Sequence, residues 1–153
     1  MVNKGYTVFA DPDVTARARS TDQPVSPKFA REVAGMVRGK EVDRAIEMLE
    51  EVISLDRPVP LKRYNKRVSH KKGVGPGRYP VKASKAIMAV ILSAKANAEY
   101  KGLDASNMVI STITIARGQT IPGHMPRAQG RATQWNQETA NIEVVIEEIV
   151  EVE

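Results

Sequence analysis

Met108-Val109-Ile110-Ser111-Thr112-Ile113-Thr114-Ile115, answered further on by Asn141-Ile142-Glu143-Val144-Val145-Ile146, is the part of the chain that decides the fold. In the second stretch Ile142, Val144 and Ile146 alternate with Glu143 and Glu147. That period of two predicts a strand with one dry and one wet face. In the first, Val109, Ile113 and Ile115 fall on one side, with Ser111 interrupting the run. Between them lies Ala116-Arg117-Gly118-Gln119-Thr120-Ile121-Pro122-Gly123-His124-Met125-Pro126, then Arg127-Ala128-Gln129-Gly130-Arg131-Ala132. From Ala105 to Gln137 there is no Asp or Glu. Two strands joined by a long arm of Arg, Gly and Pro cannot build a local core, so the arm needs a partner to order it. Carrying only positive charge, it fits a polyanion.

Outward from this hairpin, helices are predicted by apolar spacing and by their ends. Ser26-Pro27 reads as an N-cap followed by proline at the first helical position, with Phe29, Val33, Met36 and Val37 at helical spacing and Gly39 as the stop. A second helix places Val42, Ala45, Ile46, Leu49 and Ile53 on one stripe. A third runs from about Val81 to Lys101, after Pro80 and before Gly102, with Ile87, Val90, Ile91, Ala94 and Ala98 on one face. Residues 14–25 can add an extended edge strand. The expected fold class is α+β: a small antiparallel sheet of about three strands packed on three helices, with a long protruding β-hairpin. The 153 residues fit a single domain, interrupted by a basic loop at about 58–80 and the arm at about 117–135.

The net charge of +5 and pI near 9.6 conceal a segregated pattern. Residues 1–56 hold 8 Lys/Arg against 10 Asp/Glu, residues 57–131 hold 15 against 2, and residues 132–153 hold none against 6. A surface serving only solubility would mix signs, so the basic middle suggests a phosphate-binding face. No apolar run approaches membrane-spanning length, and the first residues carry no apolar stretch of signal type. With no cysteine there is neither a disulfide framework nor a thiol nucleophile, which suits the cytosol.

No catalytic constellation assembles. His70 and His124 are the only histidines, so no metal site and no cofactor are expected. Ser69-His70-Lys71-Lys72 matches Ser-x-x-Lys without its companion motifs, and Gly73-Val74-Gly75-Pro76-Gly77 lacks the Gly-Lys-Ser/Thr ending of a phosphate loop. Turn-forming glycines explain the latter better. Glu47, Glu50 and Glu51, and the C-terminal glutamates, read as solvated faces; the latter also discourage edge-to-edge pairing of copies. The basic elements fare differently. Arg117, Arg127 and Arg131 sit among glycines, where guanidinium groups fork onto phosphates; otherwise they belong to a solvated hairpin. Gly118, Gly123 and Gly130 allow close backbone approach. Trp135 is either a base-stacking group or a core anchor, and Tyr64 and Tyr79 either stack on bases or pack within the loop.

Ser26-Pro27-Lys28-Phe29-Ala30-Arg31-Glu32-Val33-Ala34-Gly35-Met36-Val37-Arg38-Gly39-Lys40, followed by Val42-Asp43-Arg44-Ala45, resembles the opening helices of the L-twenty-two family of large-subunit ribosomal proteins. Asn97-Ala98-Glu99 resembles the close of that family's third helix, and Pro126-Arg127-Ala128-Gln129-Gly130-Arg131-Ala132 resembles an Arg-Ala-x-Gly-Arg motif on the returning side of its hairpin. The likeness spans about Val14 to Ile149. The insertion from Val59-Pro60-Leu61 to Tyr79-Pro80, and Gly102-Leu103-Asp104, resemble the archaeal and eukaryotic branch, whose eukaryotic members are numbered seventeen. Thr133-Gln134-Trp135-Asn136 stands where bacterial members carry a lysine.

The resemblance implies a cytoplasmic structural constituent of the ribosome, without enzymatic activity. Its body would bind large-subunit rRNA beside neighbouring ribosomal proteins at the exit tunnel, support subunit assembly, and send the hairpin inward to meet the nascent polypeptide. The implied rRNA-binding residues are Lys28, Arg31, Lys62, Arg63, Lys66, Arg67, Lys71, Lys72, Arg78, Lys82, Lys85, Arg117, Arg127, Gly130, Arg131 and Trp135. The implied tunnel-lining tip is Gln119, Thr120, Ile121, Pro122, Gly123, His124 and Met125. A different reading of the same arm is a free-standing RNA-binding regulator. A third, less supported by the residues, is a small enzyme taking a phosphorylated ligand at Gly73–Arg78.

Overall fold

The two apolar stretches pair as expected, and every other element is arranged around them. The computed structural model describes residues 5–148. Its elements in order are β1 (Thr15–Gln23), α1 (Pro27–Val37), α2 (Val42–Ile53), β2 (Val59–Pro60), β3 (His70–Lys71), β4 (Gly75–Arg78), α3 (Val81–Lys101), β5 (Met108–Arg117), β6 (His124–Pro126), β7 (Ala132–Gln134) and β8 (Ala140–Glu148). No helix among the described residues is long and apolar enough to cross a membrane.

The main sheet is antiparallel with order β1–β8–β5, so the last strand in sequence is the central one. Centrality changes its burial: Ile142, Val144 and Ile146 are buried as expected, but so are Val145 and Glu143. Glu143 is no solvated carboxylate. The Thr7 N–H and hydroxyl donate to its two oxygens at 2.8 and 2.7 Å, because the chain before β1 crosses that face of the sheet. A period-two pattern carries no trace of such a long-range cover. The acidic residues beyond Glu148 lie outside the described residues.

β5 also departs from its expected parity. The register against β8 shifts between Ile110 and Thr112, so Ser111 marks a bulge. One extra residue reverses which side chains face inward. The core therefore takes Met108 and Ile110 before the bulge and Ile113 after it, leaving Val109 only half-buried. The outer edge of β5 is covered where the α1–α2 connection lies along it. Gly39 N–H donates to Ile110 O at 2.9 Å, Ile110 N–H to Lys40 O at 2.9 Å, and Arg38 Nη2 to Ile113 O at 2.8 Å. On the opposite edge, α3 supplies the cover: Lys101 Nζ donates to Pro12 O and Thr15 O, and Asn97 Nδ2 to Arg17 O. These contacts occupy part of each sheet edge, which blunts its capacity to template another strand.

The helices pack on one layer of this sheet, α3 against β1 and β8, α1 against β5, and α2 against α3 and β5. On α3 the five expected apolar residues are all buried, and Gly102 closes the helix at φ +81°, a conformation suited to glycine. On α2 the buried stripe is Val42, Ala45, Met48, Leu49 and Val52; Ile46 and Ile53 sit at its margin. Ser26 stands at the N-cap of α1 without a side-chain cap bond, and Pro27 supplies the start.

Residues 58–80, expected as an extended basic loop, fold a second small sheet of order β2–β4–β3. Val59 and Leu61 are buried and tie the excursion to the body, and Leu61 N–H donates to Pro76 O at 2.9 Å. Gly73 and Gly75, at φ +77° and +79°, make the tight return between β3 and β4. Turn formation is what those glycines do.

Candidate nucleic-acid interface

The arm leaves the sheet as a two-stranded ribbon. Gly118 N–H donates to Thr139 O, Ile121 and Gln137 exchange backbone bonds at 2.9 Å, Trp135 N–H reaches Gly123 O at 2.7 Å, and β6 pairs with β7. Its root is fixed by an acidic side chain from another strand. Asp22 of β1 accepts from Gln119 N–H at 2.8 Å and from the Thr139 hydroxyl at 3.2 Å, while its own N–H donates to Asn141 Oδ1 at 2.8 Å. The Thr139 hydroxyl also lies 2.6 Å from Gln119 O. A Cβ at Gly118 would lie 2.5 Å from Asp22 Oδ1 and closer still to the Thr139 hydroxyl, so a side chain there would have to push those groups aside.

The far end turns at Arg127–Arg131, with Arg127 N–H donating to Arg131 O at 2.8 Å. Gln129 and Gly130 hold φ of +59° and +67°, so Gly130 serves the turn itself. This corrects the expected tip. Gln119, Thr120, Ile121, Pro122, Gly123, His124 and Met125 lie along the outgoing limb, and the Arg-Ala-Gln-Gly-Arg motif is the turn rather than part of the returning side. Proline and glycine near Ile121 suggested a turn; the cross-strand ladder instead runs straight through it. Trp135 is 61% exposed, so it is no core anchor.

On the body, the basic loop is held to α1 by Glu32, whose carboxylate accepts the backbone N–H groups of Lys62 and Arg63 at 3.2 and 3.0 Å. Here cations lie over aromatic rings: Lys28 Nζ is 5.3 Å from the Tyr64 ring centre, Arg63 5.8 Å from the same ring, Lys71 Nζ 5.4 Å from Tyr79, and Arg78 5.9 Å from Phe29. Lys28, Lys66 and Arg78 come together around one cleft, and Phe29 joins it to a neighbouring cleft bordered by Tyr79 and Lys82. Arg117 ends β5 at the arm's root, and Arg127 and Arg131 face each other across the turn.

Among the described residues, none of the candidate cations forms an ion pair with a carboxylate. The ion pairs Arg44–Glu47, Arg57–Glu51 and Lys95–Asp43 all involve α2 instead. The bond to Glu47 raises the Arg44 pKa above its ordinary value. Every candidate cation is exposed except Lys71, which is half-buried. Sequence reasoning missed Asp22, Glu32 and Phe29. Each acts through a partner distant in the chain, and only the bulge-prone end of β1 or the apolar face of α1 hinted at them.

The family model for ribosomal protein L22p/L17e matches residues 18–147. Relatives named large ribosomal subunit protein uL22 include that of Methanocaldococcus jannaschii, 48% identical over 94% of this chain and 94% of its own length. That of Methanocella arvoryzae is 45% identical over 97% and 99%, and that of Ignicoccus hospitalis 41% identical over 91% of each. The arm, the Arg-Ala-Gln-Gly-Arg turn and the insertion after α2 accompany a match over nearly the whole sequence, and the chain belongs to the ribosomal protein L22p/L17e family, in its archaeal branch.

Proposed function

We propose that this chain is a structural, non-catalytic constituent of the large ribosomal subunit, cytoplasmic as part of that particle. It binds rRNA through the exposed cations of residues 58–85 and of the arm. The observation that carries the reading is the division of charge: the ion pairs all involve α2, whereas the candidate cations, exposed except for the half-buried Lys71, have no carboxylate partner among the described residues. Phosphates supply the missing counter-charge, with release of condensed ions as the main driving force. An isolated two-stranded ribbon is marginal in water, which suits an arm laid between RNA segments. On this reading the turn Arg127–Arg131 reaches furthest towards the exit tunnel and the nascent chain, with Gln119–Met125 on the limb behind it. Adjacent ribosomal proteins border the body.

Replacing Arg127 and Arg131 together by Ala should weaken binding to large-subunit rRNA and flatten its salt dependence by about 1–2 units of slope. An unchanged slope, measured by filter binding across salt concentrations, would show that neither side chain meets a phosphate. Sedimentation of the native chain mostly outside ribosomal particles would favour a free-standing RNA-binding regulator instead.

A further inference from the structure

The cleft between α1 and the basic loop holds groups that phosphate binding alone does not use. It measures about 160 Å³; a cavity of about 150 Å³ accommodates a single six-membered aromatic ring. Phe29 and Tyr64 contribute ring surfaces, Lys28, Lys66 and Arg78 contribute positive charge, and Glu32 contributes a carboxylate. An inorganic anion has no use for two rings and is repelled by Glu32. An apolar ligand has no use for three cations. A nucleotide combines a flat ring with an adjacent anion and can use all six residues.

We propose that this cleft receives one unstacked guanine nucleotide of the bound RNA. The base takes the place of the cations that lie over the Tyr64 and Phe29 rings, and its phosphate draws Lys28 and Arg78 off those rings to meet it together with Lys66. The inference rests on the rRNA-binding reading above and specifies what this part of the surface recognises. Unpaired RNA bases are held by stacking on aromatic rings and Arg planes and by hydrogen bonds to their pairing edges. Glu32 selects the base. Its oxygens each accept one backbone N–H, from Lys62 and Arg63, which fixes the carboxylate in place. An ionised carboxylate offers about four acceptor positions, so two remain. Guanine presents N1–H and the N2 amino group side by side, two donors for two acceptors. The pairing edges of adenine, cytosine and uracil each set an acceptor beside the donor and meet Glu32 less well.

The test is titration of the intact chain with 5′-GMP, 5′-AMP and ribose 5-phosphate, followed by NMR of the tyrosine rings. GMP should bind saturably and about tenfold more tightly than ribose 5-phosphate, the scale of one base stacked on one ring. Tyr64→Leu should weaken GMP binding several-fold while leaving ribose 5-phosphate binding unchanged, and Glu32→Gln should abolish the preference for GMP over AMP. Tyr64 is half-exposed, so its replacement keeps the test valid even if Glu32→Gln loosens the loop. Equal affinity of the native chain for GMP and ribose 5-phosphate overturns the proposal. If that occurs while the chain still binds large-subunit rRNA with a steep salt dependence, the base pocket falls and the ribosomal reading stands. Loss of rRNA binding by the native chain would bring down that reading itself.

Discussion

Single side chains here divide into those whose partners are near in sequence and those whose partners are not. Ser84 illustrates a misplaced polar group. It is fully buried on α3 near Ile87, and among the described residues its hydroxyl has no hydrogen-bond partner. Removing an unsatisfied buried hydroxyl recovers its desolvation cost, so Ser84→Ala should raise stability by about 0.5–1 kcal/mol. A denaturant midpoint that falls instead would show that the hydroxyl is bonded. Glu143 illustrates the converse, a carboxylate that reads as solvated yet is held by Thr7 across the sheet. Neither role was legible, because both are set by what packs above the residue rather than by its neighbours in the chain. The exposed arginines were legible, since charge in an acid-free stretch cannot be neutralised locally.

Elements were readable where the chain punctuates them. α3 runs between Pro80 and Gly102 as expected, because a proline at the helix start gives up no helical hydrogen bond and the glycine ends the helix in a left-handed residue. β5 was readable as a strand but not in its facing, since the Ser111 bulge reverses the parity halfway along. The small sheet of residues 59–78 escaped detection because its strands of two to four residues are too short to display a period. The cleft it forms with α1 was illegible for a related reason: three separate segments contribute its walls. At this scale the ribbon's root yields a sharp expectation. Gly118→Ala forces a Cβ against Asp22 and Thr139 and should cost about 1–3 kcal/mol, the range for overpacking. Hydrogen exchange at Gln119, whose N–H is bonded to Asp22, should accelerate. Unaltered protection there would mean that the root tolerates a side chain.

For the molecule as a whole, core and arm are separable. The contiguous apolar cluster includes Met108, Ile110, Ile113, Ala140, Ile142 and Ile146 but nothing from Ala116 to Thr139. Replacing residues 120–138 by a short Gly/Ser turn should therefore leave the thermal midpoint within a few degrees while weakening rRNA binding; collapse of the midpoint would show that the arm contributes to the core. The segregation of charge along the sequence made this division visible in outline. What it could not disclose is the contribution of Asp22, a residue of the acidic N-terminal third acting on the basic arm. The ten or so residues from Gln119 to the turn span about 33 Å, so a 10° tilt at the root would displace the end by about 6 Å. Leverage of that kind makes one carboxylate near the pivot a determinant of aim. On the proposed reading, a ribbon that gains its full order from RNA still starts from a root held at one bearing, which narrows the directions its far end must sample.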